Sequence, residues 1–236
     1  MIDVILPALP ERELTLVSEE TPQSPALTGH VTLGGPVSVP VTAELVAGDP
    51  ELSAFLAAEA HTAVYHLLHC AVSCARDAPE PALRTVNLDL TLSTTTEATT
   101  TEAAAFGPVA FEPVAWSMAP HQLAEAADAP LSVRLGPRLG LRDGHHAVAA
   151  GERVCLEARR ELRSDPGWEI RRTGAVPIGG TYRLAMVVRA PRGTVSLAAV
   201  AVGATVREGH TPHRFRAEIA HPVRLVDREC VAPGDR

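Results

Sequence analysis

Apolar and polar residues alternate with a period of two along much of the chain, the pattern of strands with one face on a core. Leu14 and Leu16, then Val31 and Leu33, then Val37, Val39 and Val41 predict three strands, broken at Thr21-Pro22, Gly34-Gly35-Pro36 and Gly48-Asp49-Pro50. From Asp49 the period changes. Asp49 is placed to cap a helix, Pro50 suits its first position, and Glu51 sits where the helix dipole favours an acid. Leu52, Phe55, Leu56, Ala60, Ala63, Leu67 and Ala71 then recur at intervals of three and four, which predicts one long helix over residues 51–76. Alanine on most of its sides predicts that sheet encloses it.

After this segment the period of two returns. Val86, Leu88, Leu90 and Leu92 fall on one face and Asn87, Asp89 and Thr91 on the other, a half-buried strand that the Thr-rich residues 93–104 extend. Further strands are expected at 109–117, 131–135, 152–162, 181–190, 194–206 and 214–226, with a hairpin turn at 190–193 and a short helical turn at 121–129. The fold class expected is α+β: predominantly antiparallel β, sandwich or barrel-like, with one long buried helix around residues 51–76. Residues 1–236 are expected to form a single domain, with the strand-rich segment 1–48 packing as a subdomain.

Composition narrows the functional classes. All 21 basic residues are arginine and Asn87 is the only asparagine, a bias of the kind a GC-rich genome imposes. A chain without lysine has no Schiff-base lysine, no Walker-type phosphate lysine and no kinase strand lysine. Aromatic residues make up only 3% of the chain, so stacking platforms for single-stranded nucleic acid are scarce. Charge is polarised: residues 1–130 carry 3 arginines against 17 acids, and residues 131–192 carry 12 against 6. Such polarity suits pairing with another copy or another protein better than with phosphate. The expected partners are therefore self or another protein, with no nucleic acid and no membrane. Met1 to Pro10 lacks a basic stretch and carries Asp3, and no apolar run approaches the roughly 18 residues of a membrane helix, so a cytoplasmic setting with cysteines as thiols is expected.

Candidate chemistry is sparse. Residues 59–74 carry the densest polar cluster, Glu59, His61, His66, His69, Cys70 and Cys74. His66, Cys70 and Cys74 are spaced to lie along one helical face but span about 12 Å by the helical rise, too far for a single zinc ion. His66, His69, Cys70 and Cys74 are thus weak metal candidates, and the expectation is no metal and no cofactor. His69-Cys70 resembles the histidine segment of chymotrypsin-like proteases, but no Gly-Asp-Ser-Gly-Gly segment follows it. Asp143, His145 and His146 share a Gly-flanked loop, and His210, His213 and His221 are candidates to converge with it. Cys155 is expected on the more polar face of its strand, beside Glu157 and Arg159.

Residues 50–93, an apolar helix followed by the strand Leu83-Arg-Thr-Val-Asn-Leu-Asp-Leu-Thr-Leu92, resemble the central helix and adjoining strand of hot-dog acyl-thioester proteins. The resemblance implies a small acyl-thioester enzyme, in which Glu59, His61 or Asp89 would act; with His145 these are the weak catalytic candidates. The leading expectation is a non-catalytic β-rich interaction, assembly or ligand-holding protein, since no catalytic signature is present.

Overall fold

A computed structural model describes residues 1–20, 24–76, 80–95, 111–124, 133–143, 152–174 and 177–225. Among the described residues the chain is predominantly antiparallel β with one α-helix, which is short. Five strands form a central sheet in the order β2 (Glu11–Glu13), β4 (Val31–Pro40), β5 (Ala63–Cys74), β13 (Gly180–Pro191), β7 (Val114–Ala119). A larger sheet runs β3 (Val17–Ser18), β15 (Thr211–Glu218), β14 (Val195–Glu208), β6 (Leu83–Thr95), β12 (Gly167–Arg171), β11 (Leu156–Arg159), β8 (Gln122–Leu123), with β16 (Val223–Leu225) also paired to β14. A small third sheet joins β1 (Ile2–Val4), β9 (Val133–Leu135) and β10 (Leu141–Asp143).

Alternation along β5 explains how these layers stack. Its even-numbered residues Leu68, Cys70, Val72 and Cys74 join Val86, Leu88, Leu90 and Leu92 of β6, in the larger sheet, in one buried cluster. Its odd-numbered residues Ala63, Tyr65 and Leu67 join a second cluster with Leu52 of the helix α1 (Pro50–Glu59) and with Val133, Leu135 and Leu141 of the small sheet. The central sheet is therefore covered on both faces, and its middle strands read as nearly unbroken apolar runs.

This double burial accounts for the main departure from the sequence reading. The expected helix over 51–76 is a helix only from Pro50 to Glu59; residues 63–74 are strand. Its start is as predicted, with Asp49 Oδ1 accepting the Glu51 and Leu52 N–H groups at 3.1 and 3.2 Å. Spacings of four residues satisfy a helical face and a strand face alike, and a strand buried on both sides shows no alternation to break the tie. Nor is α1 enclosed by sheet: Leu52 is its only buried residue.

Two smaller expectations also change. Gly34-Gly35-Pro36 does not divide two strands but forms a bulge within β4, where the register to β5 shifts between Gly34 and Val37. Gly35 has φ +78, and a Cβ there would lie 3.0 Å from the His69 carbonyl oxygen, so both conformation and space call for glycine. The turn at 190–193 is no hairpin, because β13 pairs within the central sheet while β14 pairs within the larger one. Thr21-Pro22, the Thr-rich residues beyond Thr95 and most of 121–129 lie outside the described residues. No helix among the described residues is long and apolar enough to cross a membrane.

Candidate functional site

The chain has eight aromatic residues, and four of them meet on the α1 side of the central sheet. Phe55 comes from α1, Tyr65 from β5, and Trp116 from the edge strand β7. Ring centroids lie 5.8 Å apart for Phe55 and Tyr65, 6.4 Å for Phe55 and Trp116, and 6.1 Å for Tyr65 and Trp116, tilted or edge-on as ring quadrupoles favour. Phe111, just before β7, lies 4.2 Å beneath the guanidinium carbon of Arg189, which is also 5.9 Å from the Trp116 ring.

Local backbone structure sets this convergence. Arg189 pairs with Tyr65 on one side and Val114 on the other. Between Val187 and Val188 the register to β7 slips: Val188 faces Ala115 and Val187 faces Ser117, so Trp116 is the extra residue of a bulge. A bulge re-aims side chains. Here it sends Trp116 toward the α1 cluster while Ala115 stays in the core between the sheets. The indole Nε1–H then donates to the Arg138 carbonyl at 2.7 Å, and Ser117 Oγ accepts the Leu141 N–H at 2.9 Å, tying β7 to the small sheet.

Glu59, the last residue of α1, completes the centre. One oxygen, Oε2, accepts Arg189 Nη2–H at 2.9 Å, Arg189 Nε–H at 3.3 Å and the Tyr65 hydroxyl at 3.2 Å. Burial works against the Arg189 charge, but its bonds to Glu59 and Tyr65 outweigh that and hold its pKa above the ordinary value. Burial pushes the Tyr65 phenol up to about 12, so it stays protonated at neutral pH.

Beside this cluster, on the other flank of α1, opens a cleft of about 260 Å3. Val41, Leu56, Ala60 and Val64 supply apolar walls; Thr42, Ser53, Tyr65, His66 and Arg192 supply polar groups. Arg192 is fixed at its rim, donating Nη1–H to the Ala60 carbonyl at 2.8 Å and its backbone N–H to Thr62 O at 3.0 Å.

The sequence-predicted candidates scatter across the molecule. Glu59 is in the cluster, and His66 lines the cleft. His61 is exposed in the turn after α1. Asp89 lies on the outer face of β6, beyond the core shared by the two large sheets, and pairs with Arg160 at 2.9 Å. His69 and Cys70 are neighbours on one strand and so point to opposite faces. Among the described residues no three His, Cys, Asp or Glu side chains are arranged to hold a metal ion. Burial drives the Cys70 and Cys74 thiols up to about 12, which keeps them protonated and unreactive. Burial chiefly, with the nearby Arg183 charge, pushes His69 down to about 4, against the Pro7 carbonyl, which favours its charged form. Cys155, expected on a polar face, is buried in the core between the sheets; it precedes β11, at a bend where strand alternation does not yet apply. His145 and His146 lie outside the described residues, and His210 and His221 are exposed.

Sequence reasoning missed Arg189, Tyr65, Phe55, Phe111 and Trp116. One signal was available: Arg189 is an isolated charge in the apolar run Leu184-Ala-Met-Val-Val-Arg-Ala-Pro191, a position that a half-buried partner must explain.

No protein-family model matches the chain, and no curated protein does. Among solved structures, a pore-forming protein aligns over 91% of this chain and 88% of its own, with 8% sequence identity and a TM-score of 0.39. A likeness that loose lends no support to any functional reading.

Proposed function

We propose that the chain is a non-catalytic, ligand-holding module whose binding face is the α1 side of the central sheet. The observation that carries this reading is the concentration of scarce aromatic side chains around Arg189, next to an open, mostly apolar cleft. The titratable groups support it. Tyr65, Cys70 and Cys74 are driven up and His69 is driven down, so each of these buried groups is held in its neutral form and none is poised near neutrality for proton transfer. Glu59 is engaged with Arg189 and Tyr65, which fits a positioning part better than that of a general base. The long enclosed helix on which the hot-dog resemblance rested is absent, and Asp89 lies far from Glu59 in the layer order.

Assembly through sheet edges is the less favoured form of the interaction reading. Edge strand β2 is short and charged throughout, and β3 and β8 are two residues each. At β7, the Leu162 N–H donates to Ala115 O at 2.8 Å and the Ala115 N–H to Arg163 O at 3.0 Å, so a loop already covers that edge.

Ligand-observed NMR with a library of small apolar and amphipathic compounds tests the proposal, run beside Val64→Phe, which fills the cleft. Hits with the wild-type chain that vanish in Val64→Phe are expected. No hits, or hits unaffected by the substitution, would contradict it. So would turnover of an acyl-thioester panel that Glu59→Gln abolishes.

A further inference from the structure

We propose that the cleft flanking α1 takes a small uncharged molecule, an apolar body carrying one acceptor oxygen that Thr42 holds. The inference rests on the ligand-holding reading above and specifies the ligand's class. Size, wall chemistry and the commitments of the polar groups in the lining carry it.

The cleft encloses about 260 Å3. An apolar cavity of roughly 150 Å3 accommodates benzene, so this space suits a body of about ten non-hydrogen atoms. Its walls are aliphatic where Val41, Leu56, Ala60 and Val64 face it, which selects against a sugar or a nucleotide and for a short alkyl or aryl group.

The polar groups exclude a charge. A charged head group gives up its hydration on entry, and only uncommitted groups of opposite character offset that loss. Neither an aspartate nor a glutamate lines the cleft among the described residues, so an ammonium finds no carboxylate there. A carboxylate fares no better, because the donors are spent on the chain itself. Ser53 Oγ–H donates to Val46 O at 3.1 Å, and the Tyr65 hydroxyl donates to Glu59 at 3.2 Å. Arg192 donates to Ala60 O and Thr62 O and is engaged further within the chain; His66 is engaged there as well.

Thr42 is the exception. Its Oγ1 accepts the Leu45 N–H at 3.3 Å, and its hydroxyl hydrogen has no acceptor among the described residues. One hydroxyl does not offset the hydration of a full charge, but it matches a ketone, ester or ether oxygen.

The test is titration calorimetry at neutral pH with four probes of matched size: acetophenone, isopropenylbenzene, benzoate and 1-phenylethylamine. The two neutral probes are expected to bind, and the two charged ones at least about tenfold more weakly than acetophenone. Thr42→Val should weaken acetophenone by about fivefold and leave isopropenylbenzene unchanged, while Thr42→Ser keeps the wild-type affinities. Val64→Phe should abolish all binding. Benzoate or 1-phenylethylamine binding within about tenfold of acetophenone overturns the uncharged class but leaves the ligand-holding reading standing. Equal effects of Thr42→Val on the two neutral probes overturn the seat at Thr42 and likewise spare that reading. Absence of binding by every probe, or binding that persists in Val64→Phe, overturns both. If Val64→Phe fails to give the wild-type circular dichroism spectrum, Ala57→Phe, at an exposed position of α1 that lines the same cleft, takes its place.

Discussion

On one face of β5, Leu68, Cys70, Val72 and Cys74 enter a closed apolar core shared with the larger sheet; on the other, Tyr65 enters a ring of aromatic side chains around a charged pair. The first face contains Trp168 and Tyr182 at 1% and 2% exposure and is closed to solvent. The second leaves Phe55, Phe111, Trp116, Glu59 and Arg189 half-buried beside an open cleft. Under the ligand-holding proposal, these half-exposed aromatic residues serve the cleft beside them. The difference teaches that one sheet can carry both tasks because its two faces are chemically independent: alternation along each strand assigns every residue to one or the other.

The largest effect expected is on the closed face. Trp168→Ala removes a buried indole and its Nε1–H bond to Pro120 O at 3.0 Å, and should cost about 3–5 kcal/mol in urea denaturation. Phe55→Ala on the open face should cost about 1–2 kcal/mol, since its ring is only partly removed from water. Equal losses would erase the distinction between the faces.

Acid should act through His69, which lies on the α1-side face near Pro7. Its folded pKa of about 4 lies below the ordinary 6.5, so the unfolded chain takes up the proton first. The stability this group contributes is fully present above about pH 6.5 and is lost as pH falls toward 4, by about 3 kcal/mol at most. Denaturation midpoints measured between pH 7 and 5 should fall, and His69→Met should flatten that slope; an unchanged slope would rule the residue out as its source.

Removing the charge of Glu59 leaves Arg189 half-buried without its carboxylate. Glu59→Gln is expected to cost about 1–3 kcal/mol. The double variant with Arg189→Gln should lose less than the two singles combined, because each single strands the other partner. Additive losses would show that the pair is not coupled. The smallest effect belongs to Asp89→Asn on the outer face of the larger sheet: its exposed pair with Arg160 should be worth at most about 0.5–1 kcal/mol by the same denaturation assay.

Much of the strand pattern was legible in the sequence because residues such as Val86, Leu88, Leu90 and Leu92 of β6 alternate against a single core. The central strand β5 was not, because both its faces are buried and alternation vanishes, leaving a spacing of four that mimics a helix. The N-terminus of α1 was readable from Asp49-Pro50-Glu51, local chemistry that needs no tertiary context. Its end was not, since neither glycine nor proline stands between Glu59 and Ala63. Of the candidate site and its cleft, only Glu59 and His66 were legible. Phe55, Tyr65, Trp116 and Arg189 lie on four different elements, and a bulge that no local motif announces swings Trp116 into place.

The most direct test of the account is a methyl and backbone NMR titration of the chain with the tightest-binding compound of the ligand library. Shift changes confined to the cleft and its flank, at Val41, Leu56, Ala60, Val64 and Arg192, with Leu88, Val72 and Leu184 of the closed core unmoved, are the result predicted. Changes centred on the closed core or the outer face of the larger sheet, or none at millimolar ligand, would contradict it.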